Sequence, residues 1–529
     1  MRREEEYWKG RAEENARRVF RYSQRRAELV TRWFKRAERE MREKILAFYR
    51  RYADQEQITL QQAKAALGDP RAQRLTLEEA RRLAEQYPED PVIQKLLQTD
   101  YLRRAISRKE LLIQQLNLLA SELYGEYAQE LHKSLSEIFE EGYYHAIYDQ
   151  QQYAGFGQNF DTLNVNQIEA AVSTAWQGKN YSERLWGDHR VSLARRLNRI
   201  VTTGVIRGSS GAQMTAQLQK AMATSAYEAR RLIRTECCQV SNRAALLGYQ
   251  QCGTERYQFL ATLDYQTSEI CRGLDGQVFD VSEAVPGKNM PPMHPFCRSA
   301  TIPYRPDEEF DEGTTRAARN GRGETYRVPA SMTYRQWYDQ YVKPDLKELL
   351  AEKMVQNGGQ DAKQWEQYTS LLGKDAPESL DKFQRIKYTD PKAWDDLKAF
   401  AQYKRSYPHS DRSFFEINRE IRDLCEQGLI ARSIGFAVAP QPRKIDLYQA
   451  HAMDRMLERG FGAEDAAKFI SNALVEFRQF KGRRSAYFSL EGSVTIERLN
   501  NEMVTGWPRE DFNAGSNLIL EVLKKHGKW

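Results

Sequence analysis

Between Thr262 and Tyr304 the chain reads TLDYQTSEICRGLDGQVFDVSEAVPGKNMPPMHPFCRSATIPY, and this stretch limits the possible folds more than any other. His294 and Cys297 stand three apart behind Pro291-Pro292, and a second thiol, Cys271, lies upstream. That spacing suits a small clasp tying a proline-stiffened loop to a β-hairpin. A structural zinc takes four protein ligands. Cys271, His294 and Cys297 supply three; Ser268 occupies the position a C-x-x-C partner would need, and Asp264 is the remaining candidate. Three readings stand open: a structural zinc, a Cys271–Cys297 disulfide, or buried side chains pinning the loop without metal. No H-E-x-x-H run accompanies the clasp, so catalytic zinc is not expected.

The surroundings are mainly helical. A chain of 529 residues exceeds one core, and roughly three or four units are expected. Residues 1–150 form a helical N-terminal region: Phe20, Leu29, Val30, Trp33, Phe34, Met41, Ile45, Leu46 and Tyr49 recur at helical spacing among Arg and Glu. Thr59 and Thr76 look like helix caps there. Residues 151–345 read as an α+β unit, with helices closing at Gly178 and Gly253 before strand-like runs at 255–264, 277–279 and 300–304. A helical connector over 346–440 ends near Ala439-Pro440-Gln441-Pro442, and 441–529 form a last unit. The whole is an α+β multidomain chain. Its net charge of +7 permits contact with nucleic acid but is no polycationic arm. Neither a secretory signal nor a membrane span is expected, and six irregularly spaced cysteines fit synthesis in a reducing cytosol.

Several motifs in order carry a resemblance: Arg234-Thr235-Glu236 with Asn242, then Asp264, Thr267 and Ser268, Leu274-Asp275-Gly276, Pro291-Pro292-x-His294-Pro295-x-Cys297-Arg298, and RVPASMTYRQWYDQYV. Together they resemble the phage minor head protein family typified by protein F of phage Mu, over roughly residues 1–345. The resemblance implies a low-copy virion protein at the portal vertex or head interior, made in the host cytoplasm. Its implied partners are portal and capsid proteins and phage DNA, and its implied role is head morphogenesis or DNA delivery. The family's first cysteine is missing here.

In the last unit, His451, Arg455 and Arg459 stand four apart, which stacks them on one helix face. Strand-like runs follow at 475–480, 485–490, 493–499 and 502–507. Two helices and a four-stranded antiparallel sheet are expected. This resembles the barnase, EndoU, colicin and RelE-like nuclease superfamily, and implies a metal-independent ribonuclease toxin acting on RNA, with no cofactor and with an immunity protein as partner. Such cleavage needs the ribose 2′-OH as nucleophile, a proton carrier and cations for the phosphate. His451 suits proton transfer and Arg455 or Arg459 the phosphate. Ser489 or Thr505 could hydrogen-bond the phosphate, and Lys481, Arg483 and Arg484 could contact the RNA backbone. The competing expectation is a purely structural head protein whose last unit docks another protein.

Overall fold

The computed structural model describes residues 4–53, 70–98, 108–207, 209–304 and 315–529. They form two compact units, Met1–Glu352 and Lys353–Trp529. Both mix helices with small sheets, so the α+β class holds.

Among the described residues, seven α-helices open the first unit: α1 (Glu4–Ala53), α2 (Pro70–Gln86), α3 (Pro91–Gln98), α4 (Arg108–Ala154), α5 (Val165–Val172), α6 (Val191–Ile206) and α7 (Gly211–Gln251). On α1 the apolar positions Val30, Phe34, Met41 and Ile45 repeat every three to seven residues, and all four are buried. They share one core with Leu116, Tyr124 and Leu135 of α4 and Ile233 and Val240 of α7. The stretch 1–150 and the segment after it therefore belong to a single unit. Phe20 departs from the expected stripe: it is 42% exposed. Thr59 lies outside the described residues, and Thr76 falls inside α2 instead of capping it. A close approach links α2 to α4, where the Tyr87 ring fills the space a side chain on Gly125 would need.

After α7 comes a three-stranded antiparallel sheet of β1 (Arg256–Leu260), β2 (Val278–Asp280) and β3 (Ala300–Tyr304), ordered β2-β1-β3. A short helix α8 (Glu269–Leu274) joins β1 to β2. A hairpin follows, β4 (Thr315–Arg319) against β5 (Thr325–Pro329), then α9 (Tyr334–Trp337). Asp275 ties these pieces together. Its fully buried carboxylate accepts from the backbone N–H groups of Ala261 and Tyr334, both at 2.7 Å, and pairs with Arg316 at 3.0 Å.

Helix α10 (Leu346–Leu372) leads into the second unit, followed by α11 (Leu380–Thr389), α12 (Pro391–Ser406) and α13 (Arg412–Glu426). The sheet behind them has six strands, ordered β6-β8-β9-β10-β11-β7. They are β6 (Phe436–Val438), β7 (Leu447–Tyr448), β8 (Val475–Gln479), β9 (Arg484–Phe488), β10 (Gly492–Glu497) and β11 (Glu502–Pro508). The four expected strands are β8 to β11; β6 and β7 extend the sheet at its two edges. Side-chain alternation sorts the two faces. Tyr487, Val494, Ile496 and Met503 pack under α14 (Ala450–Glu458) and α15 (Ala463–Ser471). Val475, Phe477, Ala486 and Phe488 face α12, α13 and a final helix, α16 (Ala514–Lys525). The stretch expected to be a connector thus shares its core with the sheet.

Candidate functional site

The clasp assembles as its spacing suggests. Cys271 on α8 lies 3.4 Å from His294 Nε2 and 3.8 Å from Cys297 Sγ, and the three donor atoms lie within 4.8 Å of one another. A tetrahedral zinc with bonds of about 2.3 Å to sulfur and about 2.0–2.1 Å to nitrogen has sulfur–sulfur edges of about 3.8 Å and sulfur–nitrogen edges of about 3.5 Å. The donor set therefore fits the ion. His294 Nδ1 lies 2.8 Å from the Pro295 carbonyl oxygen. Donation there leaves Nε2 with its lone pair toward the thiols, the arrangement zinc-bound histidines use. The sulfurs are unbonded, so the disulfide reading does not describe this state.

Asp264 does not complete the set. Its carboxylate is held by both terminal nitrogens of Arg298, with Thr267 Oγ1 at 3.1 Å and the Gln266 N–H at 3.0 Å. The group beside the trio is instead Cys238, buried on α7 and packed with Cys271 and Cys297. Hydrogen bonds from Cys238 first, then Cys271, with His294 also contributing, hold Cys297 well below the ordinary thiol value. The same interaction raises Cys238 and Cys271. A metal would extend that preference, because it binds the thiolate form. Sequence spacing could not find Cys238, because it arrives on a helix from outside the loop.

The other motif residues hold the frame. Glu236 is buried and accepts from Trp176 Nε1 at 3.1 Å and Arg184 at 2.9 Å. Thr235 Oγ1 accepts the Phe296 N–H at 3.0 Å, and Asn242 donates to the Cys238 carbonyl at 2.8 Å.

In the second unit, the expected catalytic set is spread apart. Ala452 and Met456 take the inward face of α14, which leaves His451 and Arg455 exposed, without a side-chain hydrogen bond or ion pair among the described residues. Arg459 donates to the Gly506 carbonyl at 2.6 Å and lies over the Trp507 ring. Ser489 is fully buried and closes its own turn onto Gly492. Thr505 pairs with Thr495, which alternates with Val494 and Ile496, so it faces away from α14. Lys481 is exposed, while Arg483 and Arg484 are drawn to Glu497 at 3.8 and 3.1 Å.

A different group does converge. Glu476 and Tyr487 are cross-strand neighbours on the α14 side of the sheet, as are Arg478 and Ser485. Glu476 is fully buried; it pairs with Arg478 at 2.6 Å and accepts from Ser485 and from the Gln441 N–H. Arg498 follows β10. Its Nε is buried without a partner among the described residues, and burial, then the charges of Arg478 and Arg443, push its pKa down. Arg443 donates to the Arg498 carbonyl at 3.1 Å. Tyr487 donates to the Gln441 carbonyl, and burial, with Glu476 adding, raises its phenol to about 12. Arg478 pairs with Glu476, and the charges of Arg478, Arg443 and Glu476 all reach Arg498, so three guanidiniums share this neighbourhood with one carboxylate, a surplus of positive charge suited to an anion. The strand period of two was the only sequence signal for it, linking Glu476 to Arg478.

Comparison with known proteins gives one family match and one relative. Residues 195–302 match the model of the family described as Phage Mu protein F like protein. The chain is also 28% identical over 148 residues to NAD(+)--arginine ADP-ribosyltransferase EFV from Enterococcus faecalis (strain ATCC 700802 / V583). That similarity covers 27% of this chain and 30% of the relative, so the chain spans under a third of that relative's length. No solved structure matches significantly.

Proposed function

We propose that this chain is a minor component of a phage head, acting with portal and capsid proteins in head morphogenesis or DNA delivery. The match over 195–302 carries that reading, and the joining of the motif residues by Asp275, Arg298 and Cys297 supports it. A zinc bound by Cys271, His294 and Cys297, with Cys238 as fourth ligand, would lock the loop after β2 onto α8 and α7. Mass spectrometry of purified particles should find the chain at low copy. Its absence from mature particles and from assembly intermediates would reject the reading.

For the second unit we propose a metal-independent ribonuclease, with an immunity protein as the protective partner in a producing cell. The observation behind it is the surplus of guanidinium around Glu476. Arg443, Arg478 and Arg498 would hold a phosphodiester. Glu476 would accept the ribose 2′-OH proton as the 2′-oxygen attacks phosphorus. The 5′-oxygen would leave with a proton from water, giving a 2′,3′-cyclic phosphate and a 5′-hydroxyl. Gln441, whose backbone covers Glu476, must move aside for substrate.

The test incubates the full chain with RNA in buffer lacking divalent cations. Glu476→Gln and Arg498→Gln should each slow cleavage by about 10²–10⁴-fold, in line with loss of a general base or a phosphate clamp. His451→Ala decides whether the exposed imidazole contributes: equal loss there, with Glu476→Gln active, would move the centre to α14. Intact RNA with the wild-type chain would leave the docking-module reading in place.

A further inference from the structure

The first unit encloses a cavity of about 540 Å³, walled by α1, α7, the segment from Cys297 to Pro303, and β4. Its lining is unusually rich in arginine. Arg11, Arg18, Arg298 and Arg316 are paired with Asp149, Glu141, Asp264 and Asp275. Arg21, Arg234 and Arg319 also line it, and none of these three has a carboxylate partner among the described residues. Apolar wall is supplied by Val19, Leu260, Ala261 and Ile302.

Arg234 is the most constrained of the three. Its guanidinium lies 4.6 Å from the Phe20 ring centroid and 5.2 Å from that of Phe296. Rings that cover the flat faces of a guanidinium leave its in-plane N–H groups as a free fork, the geometry that takes two oxygens of one anion. Phe296 reaches this place at φ +61°, a conformation costly for a bulky side chain, held by the hydrogen bond from its N–H to Thr235 Oγ1. The exposed Phe20, which leaves the apolar stripe of α1, covers the same cation. Burial, then the neighbouring Arg298 and Arg230, push the Arg234 pKa down against a smaller opposing contribution from Cys238.

We propose that this cavity binds a phosphate ester carried on an apolar or planar body, the chemistry of a nucleotide. The volume is that of a small-molecule site, the unneutralised arginines suit phosphate, and the apolar wall suits a base. Free nucleotide and the terminal nucleotide of a single strand share this chemistry. Arg234, Asn242 and Arg298, singled out by the sequence motifs, all border the cavity.

The test measures binding to the full chain of adenosine 5′-monophosphate and of a labelled 5′-phosphorylated DNA tetranucleotide, by calorimetry and anisotropy. Arg234→Gln should weaken binding at least tenfold, and Arg234→Lys should restore little, because an ammonium lacks the fork. The pair Arg21→Gln and Arg319→Gln, both on exposed residues, gives a second reading should Arg234→Gln fail to fold. Lys382→Gln, at an exposed residue of the other unit outside both proposed sites, should leave binding unchanged. Tighter binding of the tetranucleotide identifies a strand end; equal binding identifies the free nucleotide. The proposal falls if neither probe binds, if Lys382→Gln alone abolishes binding, or if an acidic peptide binds in place of both.

Discussion

The frame around the clasp and the second unit's sheet are both dense in arginine, but they use it differently. Around the clasp, Arg298 meets Asp264, Arg316 meets Asp275 and Arg184 meets Glu236. Each buried carboxylate has its own guanidinium, and the remaining lone pairs take backbone, hydroxyl or indole donors. Such matched pairs fix geometry and leave nothing for a ligand. Beside β8 to β10, the Glu476–Arg478 pair shares its surroundings with two further guanidiniums, Arg443 and Arg498. That imbalance raises the energy of the free protein and falls when an anion arrives. Charge balance, more than charge density, separates framework from site.

The largest expected effect tests the framework side. Asp275→Asn keeps the shape but leaves Arg316 buried beside a neutral amide. Removing one partner of a buried pair costs about 3–5 kcal/mol, so the first unit should unfold at clearly lower denaturant in a chemical melt. A loss below about 1 kcal/mol would mean that Arg316 finds water, and the matched-pair argument would fail there. Metal removal comes next. Purified chain should carry stoichiometric zinc by elemental analysis, and a chelator should lower the melting temperature of the first unit alone. Cys238→Ser should weaken zinc retention as Cys271→Ser does, while Asp264→Asn should not. Full retention in Cys238→Ser would return the fourth position to water.

Much of the frame was readable beforehand because its signals are local. The strands β1, β3 and β8 to β11 follow runs of alternating or β-branched residues close to where the sequence places them. The H-x-x-C spacing brought His294 and Cys297 to the same point, and Pro291-Pro292 marked the loop. What stayed hidden depends on contacts between distant segments. Cys238 reaches the clasp from α7, and Arg443 and Arg498, which lie on either side of α14 and α15 in the chain, meet each other near Glu476. His451, Arg455 and Arg459 were easy to see because helical spacing aligned them, but the same period placed the first two on the outward face. Ser489 and Thr505 went to a turn and to the opposite side of the sheet.

A smaller effect sharpens the packing side. Gly125→Ala would drive a methyl group into the Tyr87 ring, which occupies that position. Overpacking of this kind costs about 1–3 kcal/mol. In a Tyr87→Ala background the same Gly125→Ala change should cost much less, which a simple change in helix propensity would not allow.

The smallest effect concerns acid stability of the second unit. Asp411 caps α13, accepting from the backbone N–H groups of Ser413 and Phe414, and pairs with Lys528 at 2.7 Å. Burial works to raise its pKa, but the hydrogen bond from Lys528, then that from Ser413, overcome it and hold the carboxyl at about 2. A folded value below the unfolded one, which is about 3.9, means stability that is complete above about pH 4 and is lost as pH falls toward 2. Asp411→Asn should therefore lower the melting temperature of this unit by a few degrees near neutrality and flatten its pH dependence between about 4 and 2. The carboxyl is nearly half exposed, and salt should screen its attraction to Lys528 while leaving the cap bonds intact. If high salt erased the whole difference between the two proteins, the ion pair alone would account for it, and Asp411 would join the exposed charges that fix nothing.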